Sequence, residues 1–342
     1  MSDLLLDPAA DARWAALAAR APAGTIFHQP GWAELLRRSY GYPVAAVAVA
    51  GHGGELAAGL PVAAVASRLT GRRLVALPFS DACPPLIAPG APPGAAAELA
   101  GALGRLRGER GLPLQVCAPF PELAPGTERF LSHAVDLSGG ADASLARMAS
   151  RARRHARKAE KLGVSVTRRA DRVALETFYG LHLLTRKRLG VPTQPKRFIL
   201  GLEPLLGPGR GFVALAEVAG EPAAAAVFLR GGATLTYKYG ASDQRHLAAR
   251  PNNLIFARAI RWACEDGLAS LDLGRTDLGQ DGLADFKRSL GAAEAPLAYT
   301  YAGGAAPSGG EGRLEHALGE VIRRSPPLVG RAIGEALYRH VG

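Results

Sequence analysis

Cysteine is scarce in this sequence. Its 342 residues include only three cysteines, Cys83, Cys117 and Cys264, which lie far apart in apolar segments without C-x-x-C spacing. A disulfide framework is therefore excluded, and the three side chains are predicted to be small buried hydrophobes. The eight histidines also lack the spacing of metal ligands, so no metal site is expected.

Nucleotide-binding glycine motifs and long apolar runs are missing as well. No Gly-x-Gly-x-x-Gly or Gly-x-x-x-x-Gly-Lys motif follows a predicted strand, which argues against nicotinamide, flavin and P-loop chemistry. The longest apolar stretch, 43–66, is interrupted by His52-Gly-Gly-Glu55 and is too broken to span a membrane. The N-terminus carries Asp3 and Asp7, where an export signal has positive charge. We therefore expect a cytoplasmic protein.

Acidic residues are outnumbered by basic ones. The sequence has 41 Lys and Arg against 30 Asp and Glu, which gives a formal net charge of +11. This excess indicates anionic partners such as tRNA, nucleotide phosphates or anionic lipid, but an Arg-rich composition can equally reflect the genome. The apolar content of 48% is enough for a substantial core, and the length suits two domains.

Residues 210–300 present the most informative order of predicted elements. Three short apolar runs are separated by hairpin connections and lie at 211–218, 222–229 and 233–240. A loop then leads into a helix that begins at Pro251 and ends near Glu265, and a strand follows over 269–274. A second loop is predicted to carry Phe286 and Lys287. This order resembles the core of the GNAT acyltransferase fold.

The loop before the Pro251 helix departs from the GNAT pattern. In that family, the loop holds the pyrophosphate of coenzyme A with glycine-spaced backbone N–H groups at a helix N-terminus. This sequence has Ala248-Ala-Arg-Pro-Asn-Asn253 there, and Pro251 removes one N–H donor. We therefore expect that the donor is not held in the usual coenzyme A manner.

The first 140 residues contain a weaker copy of the same order. A helix is predicted over 30–40, a hairpin over 43–67, a third strand over 73–79, a helix near 95–108 and a strand over 112–118. The sequence thus predicts an α/β (α+β) protein with two tandem GNAT-like domains, whose mixed sheets are flanked by helices. The predicted limits are 1–142 and 143–305 for the two domains and 306–342 for a linker and helical tail.

A basic helix is predicted over 144–162, at the start of the second domain. Arg147, Arg151, Arg154, Lys158 and Lys161 recur at three- and four-residue steps and form one stripe. Such a stripe is either a solvated surface, with its aliphatic stems laid on the protein, or a surface that faces phosphates. The sequence leaves both interpretations open.

Further helical segments are predicted over 171–188, 311–324 and 328–340. In the first of them, His182 is expected at the edge of the core and Gly190 at the C-cap. The last two form an Arg-rich tail that either packs on the second domain or touches a membrane surface. Residues 303–312 are predicted to be a flexible linker.

Four motifs extend the resemblance from a fold to a family. They are Ser150-Arg-Ala-Arg-Arg-His-Ala-Arg-Lys-Ala-Glu160, Tyr237-Lys-Tyr-Gly-Ala-Ser-Asp243, Arg250-Pro-Asn-Asn-Leu-Ile255 and Gly282-Leu-Ala-Asp-Phe-Lys-Arg-Ser-Leu-Gly291. Together, and in this order, they resemble the FemAB/FemX family of tandem GNAT-fold proteins. The chain is most similar to the FemAB-like, BioF2-like acetyltransferase branch associated with exosortase and PEP-CTERM exopolysaccharide loci.

The resemblance implies a reaction and catalytic candidates. Characterised members transfer an amino acid from aminoacyl-tRNA to an amine of a peptidoglycan precursor. In such a transfer a deprotonated amine attacks a carbonyl, and a tetrahedral oxyanion forms. The resemblance implies that Lys287 stabilises the transition state or the departing ribose oxygen, and that Phe286 packs the lysine stem or stacks on the donor. Tyr239 and Asp243 flank the end of the third strand, where GNAT strands splay, and are candidates for orienting the amine.

A second group of residues is expected to bind substrate. Arg188 falls where the family supplies a basic residue near an acceptor diphosphate, and a guanidinium suits phosphate oxygens. The position of Arg188 at the C-terminal end of a helix explains this residue equally well, because a cation there complements the helix dipole. The full set of predicted substrate-binding residues is Arg188, Arg154, Lys158, Arg275, Asn252 and Asn253. We expect no tightly bound cofactor, and either aminoacyl-tRNA or acyl-CoA as co-substrate.

Three functions remain open on the sequence. The first is an aminoacyl-tRNA-dependent transferase that acts on an amine of a nucleotide- or lipid-linked envelope precursor, for peptidoglycan or exopolysaccharide. The second is an acyl-CoA-dependent N-acetyltransferase that acts on an amino sugar or sugar nucleotide. The third is a non-catalytic module that binds nucleic acid or a lipid surface, which would place it peripherally at the inner face of the membrane. The missing glycine loop favours the first and third, and the Phe286-Lys287 motif favours the first and second.

Overall fold

The computed structural model describes residues 3–304 and 313–341, and this part of the chain forms two compact units. Unit 1 comprises Met1–Phe130, Pro296–Ser308 and Arg339–Gly342. Unit 2 comprises Leu131–Ala295 and Gly309–Tyr338. We keep the domain limits 1–142, 143–305 and 306–342 as a proposal. Most of the linker predicted over 303–312 lies outside the described residues.

Unit 1 is built on a mixed sheet with helices on its faces. Its elements are β1 (Asp3–Leu6), α1 (Ala12–Arg20), α2 (Pro30–Tyr40), β2 (Val44–Ala50), β3 (Leu56–Ser67), β4 (Gly71–Val75), β5 (Leu86–Ile87), α3 (Ala95–Arg110), β6 (Leu114–Val116) and the start of β7 (Gly126–Asp136). Short 3₁₀ helices lie at Ile26–His28 and His52–Gly54. The predicted hairpin across His52-Gly53-Gly54 is confirmed.

Among β1 to β6, the strands of unit 1 pair antiparallel except at one pair. The strand order begins β1-β2-β3-β4-β6, and β4 runs parallel to β6, with Leu74 opposite Leu114. Helix α3 buries Leu99 and Leu103 in the core on one face, and α1 belongs to a second core cluster through Trp14 and Leu17. A Cβ at Gly59 would lie 2.8 Å from the Trp14 ring, so β3 needs a glycine where α1 packs on it.

Unit 2 repeats this arrangement of elements. It contains the end of β7, then α4 (Gly140–Arg147), α5 (Ser150–Lys161), β8 (Ser165–Arg169), α6 (Arg172–Leu189), α7 (Lys196–Leu200), β9 (Gly211–Val218), β10 (Glu221–Gly231), β11 (Thr234–Ser242), α8 (Pro251–Glu265), β12 (Ser270–Asp277), α9 (Asp281–Ser289), β13 (Ala293–Ala302), α10 (Arg313–Arg324) and α11 (Pro327–Val341). Further 3₁₀ helices lie at Glu203–Leu205 and Gln244–Ala249. β13 and α11 each continue into unit 1.

The sheet of unit 2 has the order β7-β12-β11-β10-β9-β8. β8 to β11 are antiparallel, and β11 is parallel to β12 because α8 provides the crossover between them. Residues 223–229 of β10 are all buried, since α6 and α8 both contact this strand. A strand that is buried on both faces has apolar residues at consecutive positions, which explains the Ala-Ala-Ala-Ala-Val-Phe-Leu sequence.

Two predicted features of unit 2 are wrong. The basic segment 144–162 is not one helix, because Met148 and Ala149 have extended ψ angles of 141° and 144°. Met148 is buried, and Ala149 N donates to Ser289 O at 2.9 Å, so tertiary contacts break the helix. The segment that carries Phe286 and Lys287 is helix α9 instead of a loop.

Several smaller predictions are settled by the same elements. Gly190 caps α6 with a φ of +72°, and His182 is buried in the packing of that helix, as predicted. β7, β8 and β13 were not predicted. Within residues 3–304 and 313–341, no helix is both long enough and apolar enough to cross a membrane.

Candidate functional site

The sheet of unit 2 splits between β11 and β12. Their parallel pairing joins only Thr234–Thr236 to Ser270–Asp272, although β11 continues to Ser242 and β12 to Asp277. The two strands therefore diverge beyond Thr236. The resemblance to GNAT proteins predicts that a substrate enters at such an opening. Tyr239 lies in the diverging part of β11, and Asp243 directly follows the end of this strand.

A β-bulge in β11 directs two tyrosine side chains beside this split to different neighbours. Val227 pairs with Tyr239 and Phe228 with Tyr237, so Lys238 has no residue opposite it. The extra residue turns the two tyrosines to different surroundings. Tyr237 contacts Phe256 of α8, with ring centroids 4.9 Å apart, whereas Tyr239 lies 6.2 Å from the ring of His182 in α6. The Lys238 ammonium lies 5.2 Å from the centroid of the Tyr239 ring.

Lys287 is buried against the diverging end of β12. Its side chain is 4% exposed, and Nζ donates to Gly274 O at 3.0 Å and to Arg275 O at 2.9 Å. Both carbonyls lie beyond the last residue of β12 that pairs with β11. A buried ammonium is therefore held at the part of β12 that no longer pairs with β11. Lys287 does not line an outer surface of unit 2.

Asp243 begins the connection from β11 to α8. Its Oδ1 accepts from Arg245 N at 2.9 Å, and its Oδ2 pairs with Arg245 Nη2 at 2.7 Å. The hydrogen bond from the Arg245 side chain lowers the pKa of Asp243, and burial opposes this effect. A carboxylate with a lowered pKa is a weak base, so this geometry fits an orienting role better than proton removal.

A cavity of about 430 Å³ opens at the N-terminus of α8. Its wall is formed by residues of α5, of the connection to α8, of α8 itself and of α9, including Arg151, His155, Arg250, Asn252, Asn253 and Phe286. Phe286 also contacts Phe256, with ring centroids 5.6 Å apart. In α9, Phe286 faces this cavity while the next residue, Lys287, is buried toward β12. The cavity and the diverging end of β12 therefore lie on two sides of the same short helix.

Backbone geometry makes the N-terminus of α8 unusual. Arg250, its N-cap residue, has a φ of +63° and provides no side-chain cap. Pro251 has no N–H, so the N–H groups of the first turn that lack a helical acceptor belong to Asn252 and Asn253. A non-glycine residue in the left-handed region is strained, and such residues concentrate at ligand sites. Arg250 is also one of the residues that line the cavity.

The connection before Arg250 uses backbone N–H donors in its own turns. Residues Gln244–Ala249 form a 3₁₀ helix, whose N–H groups bond within the turn. His246 N donates to Asp243 O at 3.3 Å, and Arg250 N donates to Leu247 O at 3.0 Å. These donors are therefore engaged inside the connection, and the expectation that the donor substrate is not held in the usual coenzyme A manner stays a prediction.

Positive charge is concentrated around this cavity. Arg151 and Arg250 line it, and Asp285 is the one acid among its described lining residues. Burial, followed by the nearby Arg250 and Arg151, lowers the pKa of His155. Like charges that converge on a cavity and a helix N-terminus favour an anionic ligand.

The remaining predicted substrate-binding residues lie at the surface. Arg154 and Lys158 are exposed on α5, and Arg188 is exposed in the last turn of α6. The Arg275 side chain is exposed on β12, next to the carbonyl that accepts from Lys287. The cavity lining includes Asn252 and Asn253 from this set, but not the four cations. His155 was not predicted, although its i, i+4 spacing from Arg151 was a usable signal.

Comparison with known proteins identifies the domain that holds this site. Residues 146–288 match the family model described as Acetyltransferase (GNAT) domain. These residues form a GNAT domain. All ten predicted site residues lie within it, and the predicted class, a GNAT-fold acyltransferase, is confirmed. A search of curated protein sequences finds no significant match.

Solved structures extend the likeness beyond the GNAT domain. The crystal structure of FemX has a TM-score of 0.69 and 16% identity, and covers 87% of this chain and 96% of its own. A tandem GNAT protein from the clavulanic acid biosynthesis pathway has a TM-score of 0.52 and 13% identity, with coverages of 88% and 98%. The C-terminal domain of a putative lysylphosphatidylglycerol synthetase from Agrobacterium fabrum has a TM-score of 0.55 and 14% identity, with coverages of 85% and 91%. The predicted FemX-like tandem GNAT fold is confirmed, and the exosortase-associated branch stays a prediction.

Proposed function

We propose that the chain transfers an aminoacyl group from aminoacyl-tRNA to an amine of a cell-envelope precursor, for peptidoglycan or exopolysaccharide. The observation that carries the proposal is the cavity at the N-terminus of α8. There Arg151 and Arg250 take the place of the glycine-spaced loop with which GNAT proteins hold coenzyme A. The FemX-like fold supports the same donor class.

The charge and position of the cavity suit a donor phosphate. In aminoacyl-tRNA the amino acid is esterified to the terminal ribose, so the nearest anion to the ester is the phosphate of that nucleotide. Guanidinium groups bind phosphate oxygens through paired, charge-assisted hydrogen bonds. A phosphate bound by Arg151 and Arg250 would hold the ester beside α9, which also carries Phe286 and Lys287.

Residues at the split then complete the reaction in this proposal. The acceptor amine enters beside Tyr239, loses a proton to solvent or to a substrate group, and attacks the ester carbonyl. The positive charge of Lys287 stabilises the oxyanion and then the departing ribose oxygen, which takes up the proton that the attacking nitrogen loses. Phe286 packs on the donor from the cavity side. The exposed cations Arg154, Lys158, Arg188 and Arg275 contribute long-range attraction for anionic substrates.

An acyl-CoA-dependent N-acetyltransferase that acts on an amino sugar or sugar nucleotide is the second candidate. The description of the matching family model as an acetyltransferase favours it. The engaged N–H groups of the 3₁₀ helix at Gln244–Ala249 disfavour it, because they leave the pyrophosphate fewer backbone donors. A non-catalytic module is not retained, since the GNAT domain supports an acyltransferase. For either enzyme, we propose action in the cytoplasm or at the inner face of the membrane.

A donor-exchange assay separates the two candidates. Radiolabelled aminoacyl-tRNA and radiolabelled acetyl-CoA are each incubated with muropeptide and UDP-linked amino sugar acceptors. We expect label transfer from tRNA and inhibition by uncharged tRNA, with both weakened in Arg151→Gln and retained in Arg157→Gln, an exposed arginine of α5. Transfer from acetyl-CoA alone would assign the second candidate instead.

A further inference from the structure

Unit 1 contains an apolar groove that the acyl-transfer reaction does not use. The groove has a volume of about 550 Å³, within the range of about 300–1,000 Å³ typical of ligand sites. Ten of its described lining residues are apolar and three are arginines, and no acid is among them. We call this cavity the unit 1 groove and define it by Val62, Ala64, Ala66, Leu74, Arg72 and Arg110.

The floor of the unit 1 groove lies at the edge of the core that α3 covers, because Val62 and Leu74 are buried in that core whereas Ala64 is half-buried and Ala66 is exposed. Val62, Ala64 and Ala66 alternate along β3 and so share one face of the sheet. Ala64 pairs with Leu74 of β4, and Ala66 pairs with Arg72. Helix α3 ends at Arg110, which lines the groove, because Gly111 adopts a left-handed φ of +60°.

The three arginines at the rim of the groove differ in whether they form an ion pair. Arg37 is engaged, because its Nη1 pairs with Asp7 at 2.7 Å and its Nη2 donates to Val44 O at 2.6 Å. Arg72 and Arg110 are exposed, and neither forms an ion pair with a described side chain. An apolar floor beside two such guanidinium groups matches a ligand with a hydrocarbon chain at one end and an anion at the other.

We propose that the unit 1 groove binds a single-chain lipid phosphate from a membrane, with the chain on the β3 floor and the phosphate between Arg72 and Arg110. Guanidinium groups favour phosphate because of their bidentate geometry. The small side chains of Ala64 and Ala66 leave room for the chain. The proposal does not rest on the proposed acyl transfer, because every residue of the groove belongs to unit 1.

Calorimetric titration of the full chain with decyl phosphate, below its micellar concentration, tests the proposal. We expect saturable binding, with at least about tenfold weaker binding of decanol and of inorganic phosphate, since each lacks half of the recognised ligand. Arg72→Gln combined with Arg110→Gln should weaken binding about tenfold or more. Arg68→Gln, an exposed arginine outside the groove, is the matched control and should bind as the wild type does.

A second variant and a vesicle assay separate the other outcomes. Ala66→Asp places a negative charge on an exposed part of the floor, so it should abolish binding without disturbing the core. Flotation with phosphatidylcholine vesicles should require added lysophosphatidic acid and the two arginines. Equal binding of decyl phosphate and decanol would overturn the proposal. Concentration-dependent dimerisation that Ala66→Asp abolishes would also overturn it, since it would assign the groove to a second copy of the chain.

Discussion

Replacement of Lys287 by methionine removes a buried ammonium and nearly conserves the side-chain volume. Two hydrogen bonds are lost, from Nζ to Gly274 O at 3.0 Å and to Arg275 O at 2.9 Å. Hydrogen bonds from a charged donor contribute about 1.5–3 kcal/mol each. The variant also escapes the cost of burying a charge. We therefore expect the free energy of unfolding to fall by only about 1–3 kcal/mol, and the variant to remain folded.

The effect of Lys287→Met on catalysis should be larger than its effect on folding. Removal of one group that stabilises an oxyanion typically costs about 10²–10³ in kcat. Initial rates of label transfer measure this loss, and urea unfolding measures the stability. Arg288→Met is the matched control, because Arg288 is the next residue of α9 and its exposed side chain pairs with Asp285 at 2.5 Å. The control should stay within about twofold of wild type. A folded Lys287→Met protein with the wild-type kcat would refute the assignment.

Three further predictions concern the pKa of histidines and the packing of Gly240. Burial and the neighbouring cations lower the pKa of His155, and a bound phosphate should raise it again. Inorganic pyrophosphate should therefore bind more tightly as the pH falls below 7, and His155→Gln should lose this pH dependence. In Gly240→Ala, a Cβ 1.9 Å from Tyr237 Oη should lower the free energy of unfolding by about 1–3 kcal/mol. Burial lowers the pKa of His28 to about 4 and of His182 to about 3 in the folded chain. Below pH 6.5 the unfolded chain therefore binds more protons than the folded chain does. The contribution of each buried, neutral histidine to the free energy of unfolding is complete above about pH 6.5. It should fall by about 2 kcal/mol between pH 7 and pH 5.

Each of these predictions has its own control. Isothermal titration at several pH values serves the His155 experiment, and an equal pH slope in His155→Gln would contradict it. Tyr237→Phe should restore part of the stability lost in Gly240→Ala, because it removes the clashing hydroxyl. Urea unfolding at pH 7 and pH 5 measures the buried histidines. His28→Gln should reduce the difference between the two pH values, and an unreduced difference would count against the assignment.

Elements with strong local signals were predictable from the sequence. Pro251 begins α8, Gly190 ends α6, and the glycines after His52 turn the first hairpin, because each of these residues restricts or permits particular backbone angles by itself. The buried run of β10 was equally clear. The strands that were missed carry weaker signals. β8 is largely exposed and lacks alternation, and β13 pairs with β6, more than a hundred residues away in the chain.

The candidate site was predictable only in part. Motif resemblance pointed to Lys287, Phe286 and Tyr239, but it gave no information on the hydrogen bonds of Lys287 or on the direction of each side chain. The cavity at the N-terminus of α8 depends on residues of α5, α8 and α9, which are far apart in sequence. The break at Met148 and Ala149 arises from a hydrogen bond to Ser289, so no local pattern could reveal it.

The central claim is that the cavity at the N-terminus of α8 holds the phosphate of the acyl donor. Its most direct test is the KM for the donor in a variant that combines Arg151→Gln with Arg250→Gln. The loss of two charge-assisted contacts should raise the donor KM by about 100-fold or more and leave the KM for the amine acceptor unchanged. Arg258→Gln, on the outer side of α8 and paired with Glu160, should leave both constants unchanged. A folded double variant with the wild-type donor KM would contradict the claim.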